Sequence, residues 1–277
     1  MIAGLIAAFA NSAEMLLERY LLNSKHLGWK KSITMGFGLI FLFMLVGSPL
    51  FFSYSSLYLS NTNIAYLGIV VFLAIAFNSL FFFGLKHTKV NEAEPLILTS
   101  WIFTIINAAI VFPEERNVFY IILALIASLS VLGSHLKKHH LQMDKYALCI
   151  LLSAFLISIH DLFVKKLLDV YDPFTFYFVR CGLCAVAFLF LFKKHASGIS
   201  KSAFAFLTIT TVVAIVRYVF MYWSYQVWGL VYTSLLMCIA PAIILVGSHI
   251  FLGEKLQTKN IVSTVIIVGC IITALVF

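Results

Sequence analysis

Charged residues are scarce in this chain. Asp, Glu, Lys and Arg make up 11% of its 277 residues, and 62% of the residues are hydrophobic. A soluble domain carries roughly 25% charged residues, so a water-soluble fold is excluded. The five cysteines all lie inside apolar runs. The Cys181-x-x-Cys184 spacing matches a redox motif, but no soluble segment surrounds it, so we interpret both as small apolar fillers in a helix. The composition therefore predicts an integral membrane protein.

The motifs of soluble catalytic and metal sites are missing from the sequence. It has no glycine-rich phosphate loop, no HExxH segment, no histidines at metal-ligand spacing and no plausible Ser/His/Asp set. We therefore predict no catalytic residues, no metal and no cofactor, with a membrane-embedded enzyme as the alternative from a different class. Without a nucleotide-hydrolysing domain, active transport would have to draw on an ion gradient or on exchange.

Long apolar runs fill almost the whole chain. A helix needs about 20 apolar residues to cross a bilayer, and ten runs reach that length with short polar connections between them. The runs cover roughly 2–22, 33–52, 64–86, 91–112, 118–136, 146–168, 173–192, 204–227, 230–252 and 260–277.

Two matching segments divide these runs into two sets of five. Residues 112–116 (FPEER) and 251–255 (FLGEK) each close the fourth run of a set, and such self-similarity indicates an internal repeat. Because five spans is an odd number, the second copy enters the membrane upside down. The sequence thus predicts an all-α integral membrane protein with ten transmembrane helices as two inverted five-helix repeats, 1–136 and 146–277, joined by a linker at 137–145.

The basic residues lie mainly on one side of the predicted spans. The opposite side has only Arg116, Lys165 and Lys166. By the positive-inside rule the lysine-rich side is cytoplasmic, which places both termini outside a plasma membrane. The net charge of +8 therefore reflects orientation and does not indicate a nucleic-acid partner. The lysines of the cytoplasmic side are Lys25, Lys30, Lys31, Lys86, Lys89, Lys137, Lys138, Lys145, Lys193, Lys194, Lys201, Lys255 and Lys259.

Short segments at fixed places resemble one family of carriers. They are Glu115 and Glu254 near the ends of the fourth and ninth spans, KHTKVNEAEPLILTS (86–100), FYFVR (176–180), and Gly269 in the small-residue tenth span. Over its whole length the chain resembles an EamA-type, ten-helix member of the drug/metabolite transporter superfamily. The resemblance implies a secondary carrier whose fifth and tenth spans are peripheral. It also implies cytoplasmic termini, opposite to the lysine count.

Acidic residues lie at corresponding places in the first and sixth spans. Asn11, Glu14 and Glu18 are spaced i, i+3, i+7 and share one helix face. When the first span is aligned with the sixth by a shift of 147 residues, Glu14 aligns with Asp161, and His160 is the neighbour of Asp161 in the sequence. A charged side chain deep in a bilayer costs free energy of insertion, so each such residue is expected to have a pairing partner or a function. We predict that Glu14 and Asp161 couple an ion or bind the cationic end of a substrate, because a carboxylate in an apolar cavity can exchange a proton near neutral pH.

A structural interpretation of the two acids remains open. Either Glu14 or Asp161 could pair with Arg180 or Arg217 and hold helices together, and Asp161 could pair with Lys165 on its own helix. Arg180 lies closer to the membrane edge, and we predict a structural or gate-lining role for it.

Arg217, midway along the eighth span, is the deepest basic residue and is followed by an aromatic face. It is predicted to bind a carboxylate or phosphate while rings hold an organic moiety; the alternative is a packed helix with an ion-paired arginine. The other predicted binding residues are Asn78, Trp101, His160, Tyr218, Tyr222 and Trp223.

Opposite charges in one cavity favour a zwitterion. We predict a secondary active transporter that moves a small polar or amphipathic metabolite, such as an amino acid, by alternating access, coupled to protons or to exchange. The alternative is an organic-cation carrier, choline-like or for drugs, which would use the acids and rings without Arg217. The predicted partners are a small-molecule substrate and the lipid bilayer, and the chain is predicted to be a monomer or homodimer.

Overall fold

The computed structural model describes residues 2–23, 27–53, 60–87, 90–135, 145–193, 198–240, 243 and 258–276. Within these ranges the structure is helical and contains no β-strand, which confirms the all-α fold. The predicted linker, apart from Lys145, and the FLGEK segment lie outside the described residues. The α-helices are α1 Ile2–Asn23, α2 Trp29–Phe51, α3 Asn61–His87, α4 Val90–Val111, α5 Val118–His135, α6 Lys145–Leu168, α7 Pro173–Leu191, α8 Lys201–Met237 and α9 Thr258–Val276.

The helices coincide with the predicted spans to within a few residues. The predicted eighth and ninth spans both begin inside α8, and the remainder of the ninth lies mostly outside the described residues. In the described part of the chain five helices, α2, α3, α6, α7 and α8, are long and apolar enough to cross a membrane. Shorter apolar stretches occupy Thr99–Val111, Val118–Ser130 and Ile261–Ala274. The full set of ten spans and the inverted repeat remain predictions.

Helices of the two halves pack against one another. The largest contacts join α1 to α8, α3 to α6, α4 to α6, α2 to α7 and α5 to α9. Large apolar side chains cover the outside, among them Leu50, Phe190 and Val46, each exposed over more than three quarters of its surface. An exposed apolar surface of this extent is what lipid contact requires.

A sharp break at Gly229 divides α8 into two arms, 201–228 and 230–237. Gly229 has a φ of 84°, a left-handed conformation that residues with a Cβ rarely adopt. The break frees backbone N–H groups at the start of the second arm, and the buried Glu115 carboxylate accepts hydrogen bonds from the N–H groups of Leu230 (2.6 Å) and Val231 (3.1 Å). Glu115 is the last residue of the short 3₁₀ turn Pro113–Glu115 after α4. The first half of the chain therefore caps a helix of the second half.

Replacing Gly229 by Ala is expected to destabilise the protein by about 2 kcal/mol or more. The substitution strains a left-handed backbone, and the new Cβ would collide with the Glu115 carboxylate. Thermal unfolding of the purified protein in detergent measures the effect. Gly68→Ala on α3 is the matched control, because a Cβ there has no neighbour within 4 Å. Equal stability of the two variants would contradict the capping role of Glu115.

Candidate functional site

A cavity of about 160 Å³ lies between the helices of the two halves. It is lined by α1, α2, α3, α4, α6, α7 and α8, and none of the described lining residues comes from α5 or α9. Drug-sized ligands occupy pockets of roughly 300–1,000 Å³, so this volume suits a smaller molecule. The polar lining residues are Asn11, Glu14, Glu18, Ser32, Asn78, Ser100, Trp101, His160, Asp161, Tyr177, Arg180, Thr210, Thr211, Arg217 and Tyr218.

Glu14 and Arg217 form an ion pair across the cavity wall. Arg217 Nη1 on α8 donates to Glu14 Oε2 on α1 at 2.8 Å. The Arg217 guanidinium carbon lies 4.5 Å from the centroid of the Tyr218 ring, a cation–π distance. Two of the predicted site residues are therefore brought together, in the arrangement that the structural alternative anticipated. Both still line the cavity, so the pair is available to a ligand as well.

Asp161 is the centre of a second polar cluster, on α6. Its side chain is buried, with 3% of the residue exposed. One carboxylate oxygen lies 2.9 Å from His160 Nδ1, and the other accepts a hydrogen bond of 3.0 Å from Tyr225 Oη on α8. Because a carboxylate only accepts, Nδ1 of the imidazole carries the proton in this contact. His160 Nε2 is buried without a hydrogen-bond partner among the described residues, and His160 lines the cavity.

Lys165 does not pair with Asp161. Its Nζ donates to the backbone carbonyl of Tyr225 at 2.9 Å. Asn107 on α4 donates to Ser158 Oγ on α6 at 2.8 Å, so this amide joins two helices. Asn78 on α3 donates to the carbonyl of Ala74 on its own helix at 2.7 Å and also lines the cavity.

Arg180 lines the cavity, whereas only a structural or gate-lining role was expected of it from the sequence. It is 1% exposed, donates from Nη1 to Tyr222 Oη, and lies 5.1–5.9 Å from the ring centroids of Tyr177, Tyr218 and Tyr222. Tyr177 and Arg180 are three residues apart on α7, so they lie on one helix face. This spacing is the feature of the sequence from which their shared position at the cavity could have been predicted.

Two predicted binding residues do not line the cavity. Tyr222 is fully buried behind it, in contact with Arg180 and with the rings of Phe176 and Tyr177. Trp223 is 51% exposed on the outer surface of α8, and its ring contacts Phe220. Both placements follow from the helical period. Tyr222 and Trp223 come five and six residues after Arg217, which rotates them by about 140° and 240° around the helix axis and away from the face that carries Arg217. Trp101, Asn78 and Tyr218 do line the cavity.

Metal-ligating residues are not clustered in the described part of the chain: no three His, Cys, Asp or Glu side chains there are close enough to share an ion. The ionisable groups among the described lining residues are three carboxylates, two guanidiniums and one imidazole. Such a lining can bind small polar molecules by charge and hydrogen bonding.

Two comparisons show what this chain is similar to. A solved crystal structure superimposes with a TM-score of 0.79 at 11% sequence identity, over 99% of this chain and 95% of that chain, which shows a shared fold. No curated protein matches the sequence. Residues 144–276 match the family model of the EamA-like transporter family. The resemblance drawn from the sequence is thus confirmed over the second half of this chain, which is similar to EamA-like transporters of the drug/metabolite transporter superfamily, and the chain is a multi-pass membrane protein.

Proposed function

We propose that this transporter is a secondary carrier for a small zwitterionic metabolite, such as an amino acid or a close derivative. The observation that carries the proposal is the small cavity lined by Glu14, Glu18, Asp161, Arg180 and Arg217. A zwitterion presents one carboxylate and one ammonium group, and a lining with both signs of charge complements both ends. The tyrosine rings beside the arginines supply apolar surface for a side chain.

The alternative of an organic-cation carrier fits this cavity less well. A cation would enter beside two guanidiniums, and among the described residues only one of them, Arg217, is paired with a carboxylate. An unpaired buried positive charge repels a second cation strongly, because the surroundings have a low dielectric constant.

Alternating access between the two halves is the proposed transport mechanism. The packing between the halves supports this mechanism. In two repeats of five spans, α1 corresponds to α6 and α3 corresponds to α8, so the contact of α1 with α8 corresponds to the contact of α6 with α3, and both are observed. The same correspondence leaves the α2–α7 and α5–α9 contacts in place. Such a pattern is expected of two inverted repeats that rock about a site between them.

We also propose a plasma-membrane location with both termini outside, on the basis of the lysine distribution. Coupling to protons or to exchange is proposed for Glu14 and Asp161, because these two carboxylates are deeply buried at the cavity wall.

Uptake by purified protein in sealed liposomes tests the carrier function. We expect saturable uptake of at least one labelled L-amino acid from a panel of twenty, driven by an inward pH gradient or by counterflow. Labelled choline should not be taken up, because of Arg180. Liposomes without protein are the control for leakage. Choline uptake without uptake of any amino acid would support the organic-cation alternative, and no uptake of either would contradict the proposal.

A further inference from the structure

Arg180 carries a buried positive charge that no carboxylate of the described residues neutralises. Within the described residues the carboxylate of Glu14 pairs with Arg217, and the carboxylate of Asp161 contacts His160. Arg180 Nη1 has a neutral partner, the phenol oxygen of Tyr222, and Arg180 Nε is buried without any partner among those residues. Three tyrosine rings near the guanidinium offset part of the cost of burying it.

Tyr177 supplies a second unused donor beside Arg180. It is fully buried and lines the same cavity, and its Oη has no hydrogen-bond partner in the described part of the chain. Its ring lies 5.5 Å from the Arg180 guanidinium carbon and stacks on Tyr218 at 5.1 Å between centroids, which fixes its position. Arg180 and Tyr177 therefore hold unused N–H and O–H donors together at one part of the wall.

Buried polar groups in proteins normally have partners, and an exception indicates a ligand or ordered water. A guanidinium N–H and a phenol O–H both donate, so their common partner must accept hydrogen bonds. The guanidinium charge selects an anion, and its planar fork suits a carboxylate. One unneutralised cation balances a single negative charge, whereas a phosphate dianion would require more positive charge than the cavity offers.

We propose that Arg180 and Tyr177 form the subsite that binds the carboxylate of the ligand. Arg217, which the sequence predicted for this role, is already neutralised by Glu14. The subsite predicts a ligand with a free carboxylate, and amides or esters of the same compounds bind poorly. Identification of this ligand with the transported metabolite rests on the proposed carrier function, but binding at the subsite can be measured without transport.

Thermal stabilisation of the purified full-length chain in detergent tests the subsite directly. The probes are acetate, benzoate and the L-amino acids, each compared with its amide at the same concentration. We expect at least one carboxylate to raise the melting temperature while its amide does not. Tyr177→Phe, which removes only the hydroxyl group, should weaken the affinity for that carboxylate about tenfold, and Arg180→Gln should abolish binding. Arg180→Lys keeps the positive charge but loses the planar pair of N–H donors, so it should still bind the carboxylate weakly.

Tyr232→Phe is the matched control. Tyr232 is a buried tyrosine that packs on Tyr120 and Trp228 away from the cavity, so its variant should bind like the unmodified protein. If Arg180→Gln does not fold, the Tyr177→Phe result decides. The proposal is overturned if no carboxylate stabilises the protein, if amides stabilise it equally, or if Tyr177→Phe and Tyr232→Phe bind alike. Carboxylate binding that persists without uptake in liposomes would contradict the carrier function and leave the subsite intact.

Discussion

Glu14→Gln is expected to reduce the free energy of unfolding by about 3 kcal/mol, because it leaves the largely buried Arg217 guanidinium, whose side chain is 19% exposed, without its counter-charge. Glu14 is 6% exposed, and its Oε2 accepts a 2.8 Å hydrogen bond from Arg217 Nη1. Glutamine has the same shape as glutamate and can still accept one hydrogen bond. The loss of stability therefore reports the missing negative charge and not a change in packing. Chemical or thermal unfolding in detergent gives the value.

A double-mutant cycle separates the ion pair from other effects of the substitutions. Arg217→Gln should reduce the free energy of unfolding by a similar amount. The double variant should lose clearly less stability than the sum of the losses in the two single variants. Glu114→Gln is the matched control, since Glu114 is exposed in the turn after α4 and should change stability by less than about 0.5 kcal/mol. Additive single-variant effects would show that Glu14 and Arg217 are not coupled.

The pair also shows what the sequence could predict. Periodicity alone placed Glu14 on a polar face of α1 and Arg217 deep in α8, and both positions line the cavity. The pattern left the partner of each charge open among Glu14, Asp161, Arg180 and Arg217, because the choice depends on how the helices approach each other. Only the tertiary structure shows that Glu14 pairs with Arg217 while Asp161 contacts His160 and Tyr225.

The break at Gly229 illustrates a second limit of sequence reasoning. Apolar runs predicted a boundary between spans close to residue 229, and the structure has the backbone turn there. The need for glycine arises from a left-handed φ and from the Glu115 carboxylate, which lies more than a hundred residues away in the sequence. Local pattern thus predicts where helices end, whereas the groups that cap them belong to the other half of the chain.

The geometry around Asp161 gives the second large effect. Its carboxylate accepts from two donors, His160 Nδ1 at 2.9 Å and Tyr225 Oη at 3.0 Å. The contact with Tyr225 joins α6 to α8, and the contact with His160 orients an imidazole whose Nε2 has no partner among the described residues. A buried acid next to such an imidazole provides two neighbouring groups that can bind and release a proton at the cavity wall.

Asp161→Asn is therefore expected to reduce pH-gradient-driven uptake in sealed liposomes at least a hundredfold. Asparagine preserves the size of the side chain but cannot carry the charge, so the proposed protonation step is lost. The initial rate of uptake with and without an imposed gradient measures the effect, and the melting temperature in detergent shows whether the variant folds. Asp169→Asn is the matched control, because Asp169 is exposed beyond the end of α6 and should leave uptake unchanged. If Asp161→Asn folds and still accumulates substrate under the gradient, Asp161 supports the structure without taking part in coupling.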